Sequence, residues 1–140
     1  MDILYTESSD IRWKQRFSNL VRSFVNLEAA VSLSSPDLFQ RAALVQFFSM
    51  TFELSWKTLK DLLEFQGFVG VDTPRSVLKK AFEVGLISRG DAWLDCLEKR
   101  NLMAHVYDES IAVAVDSAIR SVYFPLIGEL VGVLEEESRK

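Results

Sequence analysis

The chain has 140 residues, 49% hydrophobic and 26% charged. That is enough for one good core and fits a single globular domain over residues 1–140, with residues 1–10 as an N-terminal tail. A formal net charge of -4 and a pI near 5.0 exclude a uniformly basic surface, so any affinity for nucleic acid has to come from local patches.

Cys96 and His105 are the only cysteine and histidine. They exclude an intramolecular disulfide and a Cys/His zinc site, and point to a reducing compartment. The start, Met1 to Glu7, lacks the basic residues and apolar stretch of a secretory signal. No window holds the roughly 18 uninterrupted apolar residues of a membrane span. A cytoplasmic protein with no membrane partner is the expectation.

Apolar residues recur at helical spacing almost throughout. Phe17, Leu20, Val21, Phe24, Leu27 and Val31 predict a first helix near Ile11 to Leu33. Ser34-Ser35-Pro36-Asp37 reads as a stop and restart, with Ser35 as the cap and Pro36 at the first helical position. The second helix runs to about Gln66, with Gly67 ending it. Its Leu44, Val45, Phe47, Phe48, Met50, Phe52, Leu54 and Trp56 spread around much of the circumference, so it has to be covered on more than one side. The surplus of aromatic residues on it fits burial against a second subunit.

Thr73-Pro74-Arg75 repeats the signal of a cap followed by proline and opens a short third helix ending around Gly85. Gly90-Asp91 marks a fourth helix, with Trp93, Leu94 and Leu97 inward and Arg100 and Asn101 toward its end. A last helix from about Asp108 or Ser110 carries Ile111, Val115, Ile119, Val122, Leu126, Leu130 and Leu134, and Pro125 is expected to kink it. No segment shows strand alternation. The fold class is all-α, an up-and-down helical bundle of four long or medium helices plus one or two short ones.

Several segments then fit together. Phe52-Glu53-Leu54-Ser55-Trp56-Lys57, Thr73-Pro74-Arg75, Trp93-Leu94, and Arg100-Asn101-x-x-x-His105-x-Tyr107-Asp108 resemble, in order and separation, the nucleotidyltransferase substrate-binding branch of the HEPN family. The resemblance covers about Gln40 to Glu109 and implies a helical-bundle homodimer that assembles with a small, separate nucleotidyltransferase. In one reading attached to that family the protein is a toxin, a metal-independent ribonuclease whose Arg-x4-His motifs meet at the dimer interface. The nucleotidyltransferase is then its antitoxin, modifying the tyrosine two residues beyond the histidine, here Tyr107. In the other reading the protein binds the substrate that the nucleotidyltransferase modifies.

The residue types suit the first chemistry. Cleaving RNA without a metal needs a base for the 2′-hydroxyl, an acid for the leaving oxygen and positive charge for the phosphorane. Imidazole, which titrates near ~6.5 in small peptides, can serve as either acid or base, so His105 is one catalytic candidate. Arg100 offers a planar fork of donors to phosphate. One histidine per chain leaves one partner short, and a two-fold dimer supplies the second.

On an ideal helix Arg100 and His105 lie about 140° apart while Asn101 and His105 share a face. Asn101 is therefore expected to orient His105, with Arg100 reaching from the flank and the helix loosening before His105. Arg75, Lys79 and Lys99 are candidates for a basic rim that holds RNA or a nucleotide. Glu53 is expected to pair with Lys57, one turn on, or to lie near the dimer cleft. No phosphate loop or magnesium-binding carboxylate pattern is present, so no cofactor or metal is expected and nucleotide transfer would belong to the partner.

Overall fold

The structure, a computed structural model, describes residues 3–140, with side chains from residue 7 onward. Five helices follow in chain order: α1 (Ile3–Val31), α2 (Leu38–Phe65), α3 (Pro74–Glu83), α4 (Gly90–Lys99) and α5 (Glu109–Ser138). A 3-10 segment, Arg100–His105, joins α4 to α5. The described residues contain no strand.

α1 and α2 lie antiparallel and form the spine. Trp13, Leu20 and Leu27 recur at seven-residue steps on α1 and are almost wholly buried. Leu44, Phe48, Phe52, Leu59 and Leu62 of α2 are buried in the same core. Each such side chain stabilises the fold by roughly 1.5–3 kcal/mol relative to exposure. α2 is also contacted by α3, α5 and the 3-10 segment, which accounts for its apolar residues on several sides. Phe48, Phe52 and Trp56 are buried within the one chain, while Leu38, Phe39 and Met50 stay exposed.

Hydroxyls line the seam between the two long helices. Thr51, Ser55 and Thr58 each donate to the carbonyl four residues back, at 2.6, 2.8 and 2.6 Å. The Ser23 and Thr51 hydroxyls meet across the seam at 2.6 Å. Small polar residues let the helices approach closely, and every one of these hydroxyls finds an acceptor.

Several boundaries differ from the sequence expectation. Residues 3–10, expected as a tail, belong to α1. Asp10 accepts from the Trp13 indole at 2.9 Å and from Lys14 at 3.0 Å, and Ser9 is already buried, so the amphipathic pattern runs further back than the large apolar residues suggest. The cap of α2 is Asp37, not Ser35, and Pro36 precedes the cap instead of taking the first helical position. Its carboxylate accepts from the Gln40 amide at 2.7 Å while the Gln40 side chain accepts from the Asp37 amide at 2.9 Å, a reciprocal box that a serine two residues earlier cannot close. Thr73 and Pro74 open α3 as expected, with the same kind of box to Ser76, and Gly67 follows α2 at φ 97°.

Gly90 packs closely on α3. A Cβ there would lie 3.0 Å from the Phe82 ring, so an added side chain would need that exposed ring to shift.

At Pro125, a π turn over Ile119–Tyr123 precedes the proline, with the Phe124 amide bonded to the Ile119 carbonyl. The wider turn absorbs the bond the proline cannot make. It also buries Tyr123, whose hydroxyl donates to Asp95 at 2.8 Å and ties α5 to α4.

By length and composition the run Glu109–Ser138 is apolar enough to cross a membrane. In the bundle its Val115, Ile119, Leu126, Leu130 and Leu134 are core residues. Asp116 on the same run accepts from Arg120 at 2.7 Å and Arg41 at 3.4 Å, and Arg120 reaches the Val31 carbonyl at 2.6 Å. This clamp fixes α5 against the end of α1 and the start of α2, and so fixes the exit of the 3-10 segment.

Candidate functional site

The 3-10 segment carries the chain's only arginine and histidine pair of the expected spacing. Three residues per turn place side chains in three columns instead of the broader α-helical faces. Arg100 and Met103 share the column facing α2. Arg100 Nη1 donates to Glu53 Oε1 at 3.3 Å, and the Ser49 hydroxyl donates to Met103 Sδ at 3.3 Å. Leu102 and His105 share another column, and Asn101 lies on the third.

Loosening before His105 is therefore what the structure has, over the whole of Arg100–His105. The same loosening undoes the expected contact between Asn101 and His105. Residues four apart share a face on an α-helix but lie about 120° apart here. His105 Nδ1 instead lies 3.2 Å from the Tyr107 hydroxyl, with the rings edge to face. That contact leaves Nε2 as the nitrogen available to a ligand. His105 is exposed, and Tyr107 is 82% exposed.

Glu53 was expected to pair with Lys57. It instead takes two other partners, accepting from the Trp56 indole at 2.9 Å through one oxygen and from Arg100 through the other. Lys57 turns over the Trp56 ring, 5.9 Å from its centroid. The buried indole pins the carboxylate, which in turn aims the guanidinium. Because Glu53 and Arg100 are each about two-fifths exposed, the pair is a guide for Arg100 and contributes little to stability.

Of the three residues expected as a basic rim, only Arg75 lines the recess beside the segment. Thr73, Pro74, Arg75, Leu97, Glu98 and Asn101 line an open recess that Arg100 borders. Arg75 is paired with Glu98 at 3.5 Å. Lys79 is exposed one turn further along α3. Lys99 turns away, paired with Asp95 at 3.3 Å, and its stem lines a small apolar cavity behind the segment with Leu102, Met103, Ala114, Val115, Ala118 and Tyr123. The spacing of Lys99 next to Arg100 suggested one patch, but neighbouring residues on a turn point apart.

Asp108 closes the segment by capping α5. Hydrogen bonds from the Ser110 hydroxyl and then from the Ile111 and Ser110 amides hold its carboxyl below the usual range. Behind the site, burial pushes the Cys96 thiol and the Tyr123 hydroxyl far up. Neither is a nucleophile near neutral pH.

Residues 15–136 match the family described as nucleotidyltransferase substrate binding protein like. The chain belongs to this family. It is similar to a probable ribonuclease HepT from Haemophilus influenzae, 30% identical over 82 residues, which cover 56% of each protein. The chain thus spans little more than half the length of that relative. Two solved structures share the fold. One, from Haemophilus influenzae, is described as revealing the fold of a substrate-binding domain of a nucleotidyltransferase. It is 25% identical, with a TM-score of 0.75, covering 89% of this chain and 99% of the other. The second, from Thermus thermophilus, is 28% identical with a TM-score of 0.71, covering 86% of this chain and 99% of the other. The family membership and the all-helical fold agree with the resemblance carried by the motifs.

Proposed function

We propose that this family member is a ribonuclease that works as a homodimer, with Arg100 and His105 as its catalytic residues and a separate small nucleotidyltransferase as its inhibitor. The observation that carries the reading is the exposed 3-10 segment, where His105 is exposed with Nδ1 against the Tyr107 hydroxyl while Glu53 holds Arg100. The name of the Haemophilus relative, probable ribonuclease HepT, supports it.

In the reaction, one imidazole takes the proton of a ribose 2′-hydroxyl, and the oxygen attacks the adjacent phosphorus. The partner copy's imidazole gives a proton to the departing 5′-oxygen, so a 2′,3′-cyclic phosphate and a free 5′-hydroxyl result. Arg100 donates to the equatorial oxygens as negative charge builds on the phosphorane. Proton exchange with water then returns both imidazoles to the starting state.

A dimer supplies the second histidine. On α2, Leu38, Phe39 and Met50 are exposed apolar residues that suit that contact. Gln46, Ser49, Met50, Glu53, Leu54 and Lys57 line a shallow groove on this same helix, next to Arg100. Tyr107 is exposed enough to be the position where a nucleotidyltransferase attaches a nucleotide, and its contact with His105 explains how that would silence the site. The setting is the cytoplasm, where RNA is the substrate.

The second reading is a binding subunit without cleavage, which presents a nucleotide or another substrate to the nucleotidyltransferase. The description of the Haemophilus structure as a substrate-binding domain favours it. Purified protein incubated with transfer RNA and messenger RNA in a chelator separates the two. Fragments ending in a cyclic phosphate, absent with His105→Ala, support the ribonuclease. Intact RNA with both proteins, each folded and dimeric, leaves the binding subunit.

A further inference from the structure

We infer that the recess between the start of α3 and the 3-10 segment is the subsite for one unpaired base beside the scissile phosphate, and that Asn101 reads its identity. This rests on the RNA-binding reading above, and it moves Asn101 from orienting the histidine to recognising substrate.

Three features of the recess support a base. Its apolar surface comes from Pro74 and Leu97, which suits the flat face of a nucleobase. Each of its charges has a partner, since Arg75 meets Glu98 at 3.5 Å and Arg100, which also lines the recess, meets Glu53 at 3.3 Å, whereas a phosphate subsite would show unopposed positive charge. Asn101 brings an amide with two donors and one acceptor, the group that pairs with the edge of a base at two points.

Position decides where in the RNA the base lies. Arg100 borders the recess and is held by Glu53 on its other side, so the recess adjoins the guanidinium that faces the phosphate. The 3-10 geometry turns Asn101 into this recess and His105 away from it. One segment thereby separates recognition from proton transfer. The Arg75 and Glu98 pair is exposed and screened by water, so a ligand can open it at little cost.

The test uses single-stranded oligoribonucleotides with one cut site and each of the four bases at the flanking positions. The wild type is compared with Asn101→Ala and Asn101→Asp. A second arm measures binding of the same oligonucleotides, carrying a 2′-deoxy sugar at the cut, to His105→Ala with and without each Asn101 change.

The expected result is a base preference at one flanking position that weakens by about tenfold with Asn101→Ala and moves to a different base with Asn101→Asp, which exchanges donors for an acceptor. Arg75→Ala should weaken binding of all four equally. Cleavage by the wild type with the same preference in all three proteins would overturn the inference while leaving the ribonuclease standing. A base preference that depends on Asn101 in binding, with no cleavage by the wild type, would sustain the inference and remove the ribonuclease. Neither cleavage nor binding overturns both.

Discussion

The seam between α1 and α2 and the 3-10 segment are both rich in polar groups, and they use them in opposite ways. In the seam, Ser23, Thr51, Ser55 and Thr58 are buried and bonded to one another or to a carbonyl one turn back. In the segment, Arg100, Asn101 and His105 are exposed, and the bonds of Arg100 and His105 are surface contacts at 3.3 and 3.2 Å. A polar group that holds a fold together is one whose partners are all inside it. A group that serves a ligand keeps a bonding position open. The difference separates changes that should harm the fold from changes that should harm the chemistry.

The largest effect is expected at the segment. His105→Ala should lower RNA cleavage by about 10²–10⁴-fold, the usual contribution of a positioned acid or base. Stability should stay within about 0.5 kcal/mol of the parent, because an exposed side chain with one contact holds nothing in place. Thermal melts beside cleavage rates check both halves. A large drop in melting temperature would show that the segment is part of the scaffold, and the comparison would collapse.

Phe48→Ala asks the converse of the scaffold. The ring is fully buried between Phe52 and Tyr123, at centroid distances of 6.1 and 5.7 Å. Truncation should cost about 3–5 kcal/mol in denaturant unfolding. Where the protein still folds, cleavage per folded molecule should persist.

Much of this division was legible in the residues, and its limits have physical causes. Thr73-Pro74 fixed the start of α3 because the cap and the proline act through adjacent backbone groups. Asp37 and Ser35 are both good cap residues, and the choice between them depends on which of them Gln40 can bond back to. The expected pairing of Glu53 with Lys57 used the nearest opposite charge along the helix. The actual partner is 47 residues away, brought there by the packing of α4 on the core, which no local spacing encodes. The 3-10 segment explains the error at Asn101. Its place facing the recess depends on a turn of three residues instead of 3.6, and the resemblance in sequence carries the motif's spacing without that geometry.

Thr51→Val probes the seam more finely at nearly constant volume. It removes the hydroxyl opposite Ser23, leaving a buried donor whose partner is gone. About 1–3 kcal/mol should be lost in denaturant unfolding. Changing both residues, Ser23→Ala with Thr51→Val, should recover part of that loss, since no unpaired hydroxyl remains. Equal losses in the single and double variants would mean that the seam is held by shape alone.

The smallest effect belongs to Asp61, a carboxylate sealed into the seam. Its Oδ2 lies 3.1 Å from Arg16 Nε but lacks the alignment of a hydrogen bond. Burial raises its pKa above the ordinary value of 3.8, and the nearby Arg16 charge only partly offsets that. The folded chain therefore holds this proton more tightly than the unfolded chain does. Asp61's favourable contribution is complete below about pH 3.8, the unfolded value, and is lost as pH rises through the higher folded value. Asp61→Asn carries no such proton, so the difference in unfolding free energy between parent and variant should change with pH in that window and level off above it. A parent whose stability relative to Asp61→Asn rises with pH across the window would show that the Arg16 pairing outweighs desolvation, and that the seam tolerates a charge as readily as the surface does.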